Sequence, residues 1–162
     1  MMRFEPGLFD KVFYHAPDSA TVRTLSLEEL KAAVAQDLES LLNTRMVFSE
    51  EDLAGFPECS RSILTYGLTD FSGRSLASHD DRKFICECIA RAIARHERRL
   101  VDVRVTLELR APSAHALHFA IQAMLIVHPA QEPVSFDAQL QPSTHQYLVT
   151  RARNKALGMF GG

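Results

Sequence analysis

The sequence predicts an α+β domain, with two main helices packed on one face of a three- to four-stranded antiparallel sheet. Three observations carry this. Stretches 26–43 and 79–96 repeat apolar residues at helical spacing. Beyond residue 100 the period changes to two. The strand-like runs are joined by short links around Pro112, Pro129 with Pro133, and Pro142, which suit consecutive antiparallel strands better than crossovers.

The chain opens with an apolar group, Leu8, Phe9, Val12 and Phe13, too short for an independent helix. With the polar linker around Pro17 it makes an arm over 1–25, which docks either on the body or on a partner. In the first helix, Ser26 and Glu29 have the spacing of a capping box. Leu27, Leu30, Val34, Leu38, Leu41 and Leu42 form its apolar stripe, and Lys31, Asp37 and Glu39 are expected on a solvated far face. Residues 46–77 are irregular, with Gly55, Pro57, Gly67 and Gly73. Within them, SRSILTYGLTDFSG offers Ile63, Leu64, Tyr66, Leu68 and Phe71 to pin the loop onto the body.

The second helix starts with Ser78 and Asp81 as its N-terminal signal. Its inner stripe is Ile85, Cys88, Ile89, Ala92, Ile93 and His96, widened by Phe84. Strands come next at 101–109, 116–127 and 134–140, with a last short one around Tyr147 and Val149. The run 116–127 is apolar on both faces toward its end and is expected to be covered on both sides there. A single domain thus covers 26–150, and 151–162 forms a flexible basic, Gly-rich tail.

Composition narrows the function. The 162 residues suit one domain, and 46% hydrophobic with 23% charged residues is ordinary for a protein with a real core. A net charge of -2 supplies no basic field for nucleic acid or an anionic membrane. No stretch approaches the roughly 20 apolar residues of a spanning helix. The N-terminus lacks a signal-peptide core, so the cytoplasm is the expected compartment. Cys59, Cys86 and Cys88 are an odd set without nearby partner ligands, and read as core fillers. No nucleophile elbow, phosphate loop or His-Glu-x-x-His is present. His115 and His118 would point to opposite faces of a strand. The expectation is therefore no cofactor and no metal.

The run Arg95-His96-Glu97-Arg98-Arg99-Leu100 leads into VDVRVTLELR. Every second residue from Glu97 gives Glu97, Arg99, Val101, Val103, Val105, Leu107 and Leu109, which places a carboxylate and a guanidinium in step with the apolar face. Three readings are open: a structural ion pair fixing the helix-to-strand corner, Glu97 in the helix with Arg99 facing water, or a half-open pair completed by another protein. As a glycosidase acid, Glu97 would need a partner such as Asp102 or Asp70 and a raised pKa. Its cationic neighbours act in the opposite direction, and the chain has no tryptophan to serve as a sugar platform.

Taken in order, LFDKV, LKAAVAQDLESLLNTR, SILTYGLTDFSG, the Glu-x-Arg-Leu turn into VDVRV, FAIQAML and VSFDAQL resemble the lysozyme-like baseplate family. That family includes the wedge protein of contractile-tailed phages and the TssE subunits of type VI secretion systems, the latter being the more similar. The resemblance covers roughly residues 8 to 150. It implies a phage baseplate wedge protein-like fold and a structural, non-enzymatic part in a contractile injection machine. Such a subunit connects the baseplate to the sheath and starts sheath polymerisation by strand addition. The implied partners are contractile sheath subunits and other baseplate wedge proteins, with the spike and hub assembly nearby, but no nucleic acid and no membrane insertion. The implied location is the bacterial cytoplasm, with the baseplate docked near the inner membrane. The family signature Glu-Pro-Arg maps to Glu97, Arg98 and Arg99, so an arginine replaces the proline. Glu97 and Arg99 are the expected sheath-contact or corner-fixing pair, and Leu8, Phe9 and Phe13 the expected wedge contact. The alternatives are a peptidoglycan hydrolase with Glu97 as acid and a free-standing adaptor.

Overall fold

A computed structural model describes residues 25–49, 51–75, 77–108, 117–141 and 143–152. The arm carrying Leu8, Phe9 and Phe13, residues Leu109 and His115, and the tail from 153 lie outside the described residues. Helix α1 spans Leu27–Asn43 and starts with both bonds of the capping box. The Glu29 N–H donates to Ser26 Oγ at 3.2 Å, and the Ser26 N–H donates to Glu29 Oε2 at 2.8 Å. Helix α2 spans His79–His96, and the Asp81 N–H donates to Ser78 Oγ at its start.

The four strands are β1 (Leu100–Glu108), β2 (Leu117–Val127), β3 (Ala130–Gln141) and β4 (Gln146–Arg151). They form an antiparallel meander in the order β1-β2-β3-β4. Side-chain alternation gathers Phe119, Ile121, Leu125, Phe136, Ala138 and Val149 on one face. Against that face α1 lays Leu30, Val34, Leu38, Leu41 and Leu42, and α2 lays Ile85, Ile89 and Ile93. Helix α2 packs chiefly on β1 and α1 chiefly on β4.

The irregular segment contains two 3-10 turns, Pro57–Arg61 and Ile63–Thr65. It returns to the body at Leu68, whose N–H donates to Thr44 O at 2.8 Å and whose carbonyl accepts from the Met46 N–H at 2.9 Å. Gly67 makes this return possible. Its φ is +116°, and a Cβ there would stand 2.4 Å from Thr44 O.

Several expectations change. Lys31, Asp37 and Glu39 are half-buried rather than on a solvated face, because α1 lies along the β4 margin and its flank meets strands. Lys31 Nζ reaches Glu132 at 3.0 Å, and Glu39 accepts from the Val149 N–H at 2.9 Å. In the loop, Leu68 is buried and Tyr66 and Phe71 pack on the core, but Ile63 and Leu64 are 81% and 41% exposed. A 3-10 turn of three residues cannot direct every side chain inward. Met124 and Ile126 stay half-buried on the outer face, since both helices lie on the other one. All three cysteines are half-buried, and Cys86 packs against the core as expected, whereas Cys59 and Cys88 are not among the residues packed on it. Arg151, expected in the tail, is the last residue of β4.

Gly67→Ala combines an unfavourable φ with a backbone clash, so it is expected to cost about 2–3 kcal/mol. The shift of the urea midpoint checks this.

Candidate functional site

Glu97 closes α2 as its C-cap, with its N–H donating to Ile93 O at 2.8 Å. The strand does not begin there. The chain first makes a turn in which the Leu100 N–H donates to Glu97 O at 3.2 Å. Glu97 is therefore the first residue of a β-turn, Arg98 the second and Arg99 the third. Neither arginine has a positive φ, so the turn is of type I rather than type II.

The period-two reading through Glu97 and Arg99 is corrected accordingly. Leu100 faces the core opposite Leu125, and Val101 faces outward opposite Met124. Asp102, at φ 53°, then forms a bulge that adds one residue and returns Val103, Val105 and Leu107 to the inner side.

The pair itself is real, and a third residue joins it. Glu97 is only 7% exposed. Its Oε1 accepts from the Arg99 N–H at 3.0 Å and from Arg99 Nε at 2.8 Å, and its Oε2 accepts from Arg99 Nη2. The same Nη2 also donates to Asp37 Oδ2 on α1. The cluster thus ties α1, the end of α2 and the start of β1 at one point. Burial alone would lower the Arg99 pKa, but the bonds and charges of Glu97 and then Asp37 outweigh it and move it up. The guanidinium is therefore a permanent cation between two carboxylates. Its Nη1 group bonds no described residue, and the Arg99 side chain keeps 27% exposure.

Tyr66 and His96 flank the cluster, with ring centroids 5.4 Å apart. His96 Nε2 lies 2.9 Å from Thr65 O, which can only accept, so Nε2 carries a proton. Burial pushes the His96 pKa down, the Thr65 carbonyl opposes this, and Arg95 adds to it. The Tyr66 phenol is pushed up by burial, then by Asp37 and Glu97.

The proposed acid partners of Glu97 are placed otherwise. Asp102 is exposed on the bulge. Asp70 lies on the loop beside Arg45 at 3.3 Å, its carboxyl held low by Ser72 hydrogen bonds. An apolar cavity of about 300 Å³ opens between the end of α1, the loop and the sheet, lined by Leu42, Leu68, Phe71, Ile85 and Phe119 among others. Its described lining contains neither Glu97 nor Arg99. No group of three metal-ligating side chains occurs among the described residues.

Asp37 was missed from sequence because its contact with Arg99 spans 62 positions. A carboxylate off the apolar stripe of α1 was the available signal. The chain matches the family model described as baseplate wedge protein gp25 over residues 28–130, more than half of its length. The chain belongs to the gp25 baseplate wedge protein family. A search of individual curated proteins gave no match. As a wedge protein, it has the structural baseplate role of that family. No helix among its described residues is long and apolar enough to cross a membrane.

The turn also accounts for the family's proline. The second position of a type I turn favours proline, and the Arg98 N–H makes no hydrogen bond to a described residue. Arg98→Pro is expected to stabilise the wedge protein by about 0.4–1 kcal/mol, measured by chemical denaturation. Arg99→Met strands two carboxylates, one of them buried, and is expected to cost about 3–5 kcal/mol in the same measurement.

Proposed function

We propose that this chain is the wedge subunit of a type VI secretion baseplate, of the TssE kind, acting in the cytoplasm. It connects the baseplate to the contractile sheath and starts sheath polymerisation by accepting a strand from a sheath subunit. The observation that carries this reading is the half-open Arg99. Its Nε and Nη2 fix the corner through Glu97 and Asp37, while Nη1 bonds no described residue and the side chain keeps 27% exposure, next to the first strand of an antiparallel sheet. A partly exposed guanidinium donor next to a strand suits recognition of a partner's carbonyl or carboxylate, and sets register and partner choice.

The hydrolase reading finds no such support. A general acid must reach the substrate, whereas both Glu97 carboxylate oxygens already accept from Arg99 and the residue is only 7% exposed. The contact with other wedge proteins is proposed for the arm residues Leu8, Phe9 and Phe13. It is also proposed for Val47, Phe48, Phe56, Ile63 and Leu64, large apolar residues exposed on segment 47–64.

Arg99→Lys is expected to keep a cation between Asp37 and Glu97 while losing the Nη1 amino group. Co-purification with the two sheath subunits then falls by about tenfold. Circular dichroism checks that the fold persists. Unchanged co-purification would remove Arg99 from the contact, and a wild-type chain that never retains sheath subunits would end the proposal. A turbidity assay on purified cell wall tests the hydrolase: clearing lost in Glu97→Gln would establish it.

A further inference from the structure

We infer that the incoming strand is accepted at the β1 margin of the sheet and that the β4 margin is closed to it. This rests on the function proposed above and adds the location of the contact. The two outer strands differ in both backbone pairing and burial.

Hydrogen-bond phase shows which groups point outward. The Ala152 N–H donates to Ser135 O at 3.0 Å, so even-numbered residues of β4 turn toward β3, and Tyr147 and Val149 turn outward. Those outward groups already have partners on α1. Asn43 Nδ2 donates to Tyr147 O at 2.8 Å, and the Tyr147 N–H donates to Asn43 Oδ1 at 2.8 Å. One side-chain amide thus acts as the peptide unit of a missing fifth strand. The Val149 N–H donates to Glu39. The side chains are covered too, with Tyr147 and Val149 at 8% and 7% exposure.

At the other margin, the Ile126 N–H donates to Arg99 O at 2.8 Å, which sets even-numbered β2 residues toward β1. Their partners Arg104, Thr106 and Glu108 face inward to the ladder, so Val103, Val105 and Leu107 face outward. Only the Leu107 N–H finds a described partner, the Cys86 sulfur, a weak acceptor. The N–H and C=O groups of Val103 and Val105 bond no described residue outside the strand. The side chains of Val103, Val105 and Leu107 remain half-buried although they point toward the core. An added strand with apolar residues at every second position would cover them and pair the backbone groups that bond no described residue. The margin starts just past Arg99.

The test is hydrogen exchange on the full chain, alone and with purified sheath subunits, comparing peptides over 100–108 and 146–151. Protection at Val103 and Val105 is expected to rise by about tenfold or more, with β4 unchanged. Val105→Pro removes an outward N–H without breaking a bond to β2, and is expected to weaken sheath capture by about tenfold. Capture with new protection on β4, or on neither margin, would overturn the β1 assignment while leaving the sheath partnership standing. Failure of the wild-type chain to capture sheath would overturn both.

Discussion

One guanidinium holds three elements in place. Arg99 leaves the chain between α2 and β1 and reaches back to Glu97 at the helix end and across to Asp37 on α1. The helices otherwise touch each other sparingly, since each packs mainly on its own side of the sheet. Apolar burial is non-directional and would tolerate some sliding of α1 against α2. A forked donor between two carboxylates does not, because each bond fixes both a distance and an angle. Removing these charges from water is costly, and for Glu97, only 7% exposed, the cost is offset by three donors from Arg99.

The corner also sets the phase of β1. Because the turn ends at Leu100 and not at Glu97, the strand would enter with its apolar residues out of phase. Asp102 corrects this with a single extra residue at positive φ, a conformation that aspartate accepts more readily than most side chains. The valines then face the helices. Turn, bulge and the Glu97–Arg99 pair form one local unit within the dozen residues from Glu97 to Glu108, and Asp37 joins it from α1.

Much of the fold was legible in the sequence. Both helix starts were marked by hydroxyl caps, and the sheet order by alternation and short links. The strand meander needed no long-range knowledge because each strand pairs with its neighbour in sequence. The misreadings on α1 share one cause. Asp37, Glu39 and Lys31 owe their roles to contacts with residues far along the chain, and periodicity assigns such positions to water. The Asp102 bulge was hidden because a perfect alternation in sequence gives no sign of an inserted residue. Glu97 and Arg99 were found because two charges stood beside an apolar run, but that signal named the pair without its third member.

The Asn43 amide has a further consequence. By occupying both backbone groups of Tyr147, it stands permanently where a neighbouring molecule's strand would lie. A sheet sealed on one flank cannot serve as a through-link in a ribbon of like units. Under the proposed strand addition, a row of strands that reaches this molecule stops there, which gives the row a fixed beginning and a direction.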